Sequence, residues 1–348
     1  DREIGDDTFE TTKIKAKNAW EKEFRRIEID SDHTEYIKTF YSCLYRVLLF
    51  PRTFYEYDAN NKMMHYSPYN GKVLPGYMFT DNGFWDTFRA VFPFFNLMYP
   101  EQNNKIMEGL ANTFKESGWL PEWASPGHRD CMIGSNSAVN IADAYLRGIR
   151  GYDVETLYQA VIKNSNKKGP LSSVGRFGAK HYNTLGYVPY DVGINESAAR
   201  TLEYAFADWS IAELAEALGK PQEEIDLFRS RSQNYKNVFD PEIGFMRGKN
   251  KDGSWSKTFT PDKWGDAFTE GSSWHWTWSV FHDPMGLAES FGGIPKMEKR
   301  LVEVFTAAPT FNVSYYGQQI HEITEMLVGD MGQYAHGNQP VQHAIYLY

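Results

Sequence analysis

Apolar side chains in this chain recur with the period of the α-helix almost from end to end, which restricts it to a mainly helical fold. Ile14, Trp20, Phe24 and Ile27 share one face of a first amphipathic run, and Tyr36, Phe40, Cys43, Leu44 and Val47 share one face of a second. Residues 85–98, 103–115, 137–149 and 153–163 continue the pattern. Asn195-Glu196-Ser197 opens a long helix through Leu218. Pro221 begins its partner, which runs to about Val238, at a first-turn position where the missing N–H of proline costs nothing. Segments near 273–281, 295–306, 318–329 and 340–348 bring the total to roughly a dozen helices in consecutive pairs.

Between pair members lie segments 50–84, 117–135, 166–194 and 239–270, each longer than the ~12–15 residues usual for a loop. Their Trp, Tyr and Phe content argues for packed rather than disordered connections. Helical hairpins joined by such loops predict a toroid in which the loops on one rim build a pocket. No short internal period marks a solenoid, and no Ser-, Pro- or Gly-rich stretch divides the chain, so residues 1–348 are expected to form one domain. Asp1-Arg2-Glu3-Ile4 reads as the middle of a longer polypeptide, and Ala344-Ile345-Tyr346-Leu347-Tyr348 as a helical run with no stop signal. Both ends are therefore expected to be cuts.

Charge removes several function classes. A formal net charge of −9 is wrong for a nucleic-acid or anionic-membrane surface, which needs clustered Lys and Arg, and the densest basic run, Lys163 to Lys168, is broken by Asn and Ser. No window approaches the ~20 apolar residues of a membrane span. Two cysteines, Cys43 and Cys131, support neither a disulfide framework nor a thiolate zinc site, and leave one bridge open.

The densest chemistry lies at Thr269-Glu270-Gly271-Ser272-Ser273-Trp274-His275-Trp276-Thr277-Trp278. Indole faces stack on sugar rings, and a carboxyl group pressed against apolar rings has its charged form disfavoured and keeps its proton near neutrality. Glu270 is thus the first candidate for a general acid; the plainer reading is a helix-start Glu answering unpaired N–H groups. Asp86, in Trp85-Asp86-Thr87-Phe88-Arg89, combines a carboxylate with an indole suited to a sugar, or caps its own helix and pairs with Arg89. Trp119, Trp123, Arg129 and Asp130 share one loop with the makings of a polyol site.

His321-Glu322-Ile323-Thr324-Glu325 is not the zinc-protease motif, because the second His position is occupied by Glu325. It offers a substrate contact or a solvated helix face. His336-Gly337-Asn338-Gln339-Pro340 carries amide and carbonyl oxygens, hard donors that suit Ca²⁺ better than Zn²⁺, though such a stretch is commonly a plain turn. No phosphate-binding loop, dinucleotide fingerprint or nucleophile elbow is present.

In order along the chain, Trp85-Asp86-Thr87-Phe88-Arg89, Met132-Ile133-Gly134 with Ile141-Ala142-Asp143-Ala144-Tyr145, Thr201-Leu202-Glu203-Tyr204-Ala205 with Asp208-Trp209, Phe239-Asp240-Pro241 with Gly244-Phe245-Met246-Arg247, Glu270-Gly271, His282-Asp283 and Gly337-Asn338-Gln339-Pro340 resemble glycoside hydrolase family 92 from about residue 30 onward. That family comprises calcium-dependent, inverting exo-α-mannosidases. The resemblance implies an all-α (α/α)6 toroid, incomplete here at its C-terminal end, and usually preceded by a β-sandwich domain that lies outside these residues. It implies release of terminal α-linked mannose, α-1,2 above all, from N-glycan or mannan oligosaccharides, by a secreted, periplasmic or cell-surface enzyme. Other (α/α)6 carbohydrate enzymes and a non-catalytic sugar-binding fragment stand as alternatives.

By the same resemblance Glu270 matches the general acid, in agreement with its independent reading. Trp85, Asp86, Arg129 and Asp130 match parts of the −1 pocket, His321 and Glu322 match a pair at the +1 sugar, and Asn338 and Gln339 match the calcium region. Many members have Glu at the position of Gln339 and Asn at that of Ser272. The family's general base is an Asp well past the Gly-Asn-Gln-Pro turn, beyond Tyr348, so residues 1–348 alone are expected to lack one of the two carboxyl groups that inversion requires.

Overall fold

The computed structural model describes residues 4–348 and divides into two compact units, Asp1–Arg52 and Thr53–Tyr348. In the first unit, α1 (Phe9–Phe24) starts where the Thr8 hydroxyl accepts from the Thr11 N–H at 3.2 Å, and it pairs with α2 (Thr34–Val47). Trp20 packs on Phe24 and Tyr45 with ring centroids 5.5 and 4.6 Å apart, and Leu44 is buried.

The second unit is organised by α9 (Ser197–Ala217). Its apolar residues surround the whole helix instead of forming one stripe, the pattern of a helix buried on every side. Ala198, Ala199, Ala205, Ala207, Ala212 and Ala215 are all buried, and their small side chains let neighbouring helices approach closely. Those neighbours are α6 (Asn136–Leu146), α7 (Val154–Asn166) and α10 (Gln222–Ser232). Before them come a single turn, α3 (Phe84–Thr87), then α4 (Val91–Met98) and α5 (Pro100–Ser117), which ends at Gly118 in the left-handed conformation that closes helices. After α9 and α10 follow α11 (Ser273–Trp276), α12 (Pro284–Phe291), α13 (Ile294–Thr306) and α14 (His321–Gly329). Among the described residues no helix is long and apolar enough to cross a membrane, and both cysteines are free.

The helical class is as the periodicity predicts, and among the described residues the helices close no barrel. Three stretches differ from expectation. The run at 85–98 breaks between α3 and α4, the run at 273–281 shrinks to four residues, and residues 340–348 form two short 3-10 turns, Gln339–Val341 and Ala344–Tyr346, instead of a helix. Two helices lie outside the predicted set: α12, and the seven-residue α8 (Ala179–Leu185), inside the 166–194 connection.

The long connections are ordered by polar anchors. Residues 50–84 contain a three-stranded antiparallel sheet, Glu56–Tyr57, Met63–Tyr66 and Val73–Pro75. Segment 117–135 is tied to the start of α6 by buried Glu122, which accepts from the Ser137 hydroxyl at 2.6 Å and the Ser137 N–H at 3.1 Å. Segment 166–194 is held by Arg176, fully buried, which donates to Asp208 of α9 at 2.6 Å, to the Ser135 hydroxyl at 3.1 Å and to the Tyr204 carbonyl at 3.3 Å. Tyr182 donates to the other Asp208 oxygen at 2.9 Å.

Candidate active site

Glu270 sits at the end of a tight loop with its backbone in the left-handed region, φ 43°, where a residue carrying a Cβ is strained. Several bonds hold it there. The Gly265 N–H donates to the Gly271 carbonyl at 2.9 Å, the Trp276 indole N–H donates to the Thr269 carbonyl at 2.8 Å, and the Glu270 N–H donates to the Tyr316 hydroxyl oxygen at 2.9 Å. The Asn338 side-chain amide donates to the Glu270 carbonyl. Strain of this kind persists where surrounding structure over-determines it, which is characteristic of functional sites.

The Glu270 side chain is half-buried and lines a cavity of about 270 Å³ with Asp130, Met132, Glu196, Arg200 and Tyr316. Its carboxyl group takes no hydrogen bond from the described residues and is left to whatever enters the cavity. Burial pushes its pKa up to about 7; the carboxylates of Glu322, Asp86 and Glu196 push the same way, against a smaller opposing pull from His321. A proton is therefore available near neutrality at the wall of a space on the scale of one sugar ring. A larger cavity of about 680 Å³, faced by Phe88, Pro93, Val139, Phe206, Trp209 and Phe281, is mostly apolar and does not include Glu270.

Asp86 belongs to α3, whose entry is fixed by a short antiparallel pairing of Asn82–Gly83 with Trp123–Ala124. A side chain at Gly83 would run into the Trp123 ring at 2.5 Å and the Asp86 carboxylate at 2.8 Å, so only glycine lets α3 sit there. Asp86 neither caps its helix nor bonds Arg89: it accepts from the Gln339 amide at 2.8 Å, and burial raises its pKa against the lowering effect of Arg89. Arg89 turns to buried Glu203 at 3.5 Å. The turn at 337–340 thus touches both Glu270 and Asp86, joining residues far apart in sequence.

Asp130 lines the same cavity and accepts from the Ser172 hydroxyl at 2.7 Å and the Ser173 N–H at 3.0 Å, bonds that hold its pKa below the usual carboxylate range. Arg129 is exposed and is not among the residues lining it. His321 and Glu322 occupy the first turn of α14, 3.1 Å apart, with His321 exposed and also facing Glu325, which raises its pKa; Glu322 is buried.

The expected wall of indoles is corrected by the packing. Trp276 and Trp278 are 0 and 1% exposed and belong to the core, Trp274 is only partly exposed, and Trp85, 1% exposed, is stacked on Trp276 at 6.4 Å beneath the Arg89 guanidinium. Trp85 therefore offers a sugar no open face and shapes the site from behind. His275 is structural too: its Nδ1 accepts the Ser272 N–H at 2.9 Å, which leaves Nε2 to donate to the Gln333 carbonyl at 2.9 Å, and burial lowers its pKa to about 4. Sequence reasoning did not find Glu196 and Tyr316, which join the site only through the fold.

The donors near Glu270 bear on whether calcium could bind there. The Asn338 side-chain carbonyl oxygen is buried without a hydrogen-bond partner, a hard donor of the right chemistry. Among the described residues no group of three or more His, Cys, Asp or Glu converges on one point. The site thus fits calcium in kind at Asn338 and supplies part of the roughly six to eight oxygens the ion takes.

The solved structure of a family 92 inverting mannosidase from Bacteroides thetaiotaomicron VPI-5482 is 52% identical with a TM-score of 0.91, covering all of this chain and 47% of that one. A family 92 α-mannosidase from Bacteroides thetaiotaomicron, in complex with mannoimidazole, is 30% identical with a TM-score of 0.87, covering all of this chain and 44% of the other. A protein of Arthroderma benhamiae named an uncharacterized secreted glycosidase is 28% identical over 271 residues, 71% of this chain and 30% of its own length. The chain spans less than half the length of each of these relatives. Residues 1–348 match throughout the sequence profile of the glycosyl hydrolase family 92 catalytic domain, and the chain belongs to that family of glycosidases.

Proposed function

We propose that the protein releases terminal α-linked mannose, chiefly α-1,2-linked, from N-glycan or mannan oligosaccharides by single displacement with inversion. The observation that carries this reading is the Glu270 carboxyl group, proton-bearing up to about pH 7, unbonded by protein and facing a ring-sized cavity. The relatives whose titles name them mannosidases support the choice of sugar.

In the proposed reaction Glu270 gives its proton to the glycosidic oxygen as the C1–O bond breaks, while a carboxylate on the opposite face of the ring, roughly 6.5–9.5 Å from Glu270, takes a proton from the attacking water. That base is assigned to an Asp outside residues 1–348. Asp86 and Asp130 accept ring hydroxyls of the −1 mannose, with Arg129 at the rim. His321 and Glu322, close enough to influence the acid electrostatically, meet the +1 sugar. Asn338 and Gln339 would hold Ca²⁺ through their side-chain carbonyls; when bound, the ion would supply Lewis-acid polarisation of sugar hydroxyls. The secreted relative supports a location outside the cytoplasm or at the cell surface.

The test uses the protein at its natural length with α-1,2-mannobiose, followed by proton NMR. The first-formed mannose is expected as the β-anomer, its release lost on treatment with EDTA and restored by Ca²⁺. Formation of the α-anomer would end the inverting mechanism, and turnover indifferent to the chelator would remove calcium from it. Cleavage of glucosides or uronates in place of mannosides would overturn the substrate assignment.

A further inference from the structure

Both peptide groups flanking the Glu270 Cα are gripped by side chains from distant segments: Asn338 donates to its carbonyl, and the Tyr316 hydroxyl oxygen accepts its N–H at 2.9 Å. The Tyr316 contact fixes the acid from the N-terminal side, where the left-handed φ of 43° is set. We propose that Tyr316 is a positioning residue for the general acid, its hydroxyl locking the strained Glu270 backbone so that the carboxyl group points at the leaving oxygen. The inference rests on the mannosidase reading and deepens it.

The ring that carries this hydroxyl is itself held in place. Tyr316 packs beside the buried cluster of Trp264, Ile323, Met326 and Ala335, and meets Tyr315 edge-on with centroids 5.1 Å apart. Gly265 leaves just the room it needs, because a side chain there would lie 2.9 Å from the Tyr316 Cζ and 2.3 Å from the Tyr315 ring. The Gly265 N–H in turn bonds the Gly271 carbonyl, so the ring and the acid loop are fitted to each other. Tyr316 also lines the cavity, near Glu196 and Glu270. Its oxygen accepts from the Glu270 N–H, which leaves the phenolic proton free to point elsewhere. Burial and the neighbouring carboxylates push the phenol well above its ordinary pKa, so it stays neutral across the working pH range.

A hydroxyl acting through the acid must matter in proportion to how much the reaction needs a proton. The second mannose of mannobiose departs as an alkoxide unless its oxygen is protonated, whereas fluoride leaves α-mannosyl fluoride without help. The experiment compares the two substrates in Tyr316→Phe and the parent, at natural length, over pH 5–9. Tyr316→Phe keeps the ring and removes the acceptor of the Glu270 N–H. It is expected to lower kcat/KM for mannobiose by about 10–100-fold, as a misplaced catalytic group does. Turnover of the fluoride should stay within about 3-fold, since the proton transfer it bypasses is the only step affected.

Gly265→Ala, which displaces the same ring while keeping its hydroxyl, is expected to reproduce the selective loss, and thermal unfolding of each variant verifies that the fold is retained. Equal losses on both substrates would assign Tyr316 a merely structural role and overturn the proposal, as would no loss on either. A parent enzyme that cleaves neither substrate would overturn the mannosidase reading together with this one.

Discussion

Glu270→Gln is expected to reduce kcat on α-1,2-mannobiose by about 10²–10⁴-fold, the share that positioned proton transfer contributes to such a reaction. Glutamine matches the carboxyl group in shape, so binding of mannose, read by calorimetry, should survive. The parent carries a second signature. Its acid must be protonated to act, and because the pKa is raised to about 7, activity should persist well above the range of an ordinary carboxyl group and fall as pH rises through about 7. The descending limb should be lost with fluoride as leaving group. Undiminished turnover in Glu270→Gln would remove the acid from its role, whatever the family.

Asp208→Ala is expected to cost about 3–5 kcal/mol of folding free energy, because it leaves the Arg176 guanidinium charged, buried and unpaired. Both side chains are completely enclosed, and burial raises the Asp208 pKa while Arg176 opposes it, so the pair is neither solvent-screened nor replaceable by water. Set against a typical total of about 5–15 kcal/mol, that loss would unfold a large fraction of the protein at moderate denaturant. Tyr182 loses its 2.9 Å acceptor as well, and segment 166–194 loses one of its anchors to α9. Urea titration followed by circular dichroism measures the difference. A cost under about 1 kcal/mol would mean that the pair is dispensable.

Helix placement was legible where an apolar stripe, a local property, was present: α5, α7 and α13 lie where their periodicity puts them, while α9 and α10 lie where their start signals put them. The two missed helices show what periodicity cannot supply. The segment Ala179–Leu185 is too short to display a stripe and is bounded instead by left-handed Gly178 and Gly186. For α12 the punctuation was in view, with Asp283 capping at 2.9 Å, Pro284 in the first turn and Gly292 as the stop. The tryptophans of 274–278 misled in the opposite way. Composition suggested a wall facing a sugar, but a four-residue turn beside Met246 and Thr269 carries Trp276 and Trp278 inward. Glu270 stood out from its own neighbourhood, whereas Glu196, Tyr316 and the Asp86–Gln339 bond are products of tertiary structure and leave no mark in any single segment.

The left-handed backbone at position 270 sets thermal endurance against turnover. A glycine there would adopt φ 43° without the penalty of roughly 1 kcal/mol that a side chain incurs, and would remove an acid crowded by three others. Since burial raises the pKa of that acid, its burden on the fold is absent at low pH and grows as pH rises toward 7, so Glu270→Gly should melt above the parent at pH 8 and by a smaller margin at pH 4.5. Directed evolution that screens for heat tolerance alone would drift toward that substitution and yield robust, silent proteins.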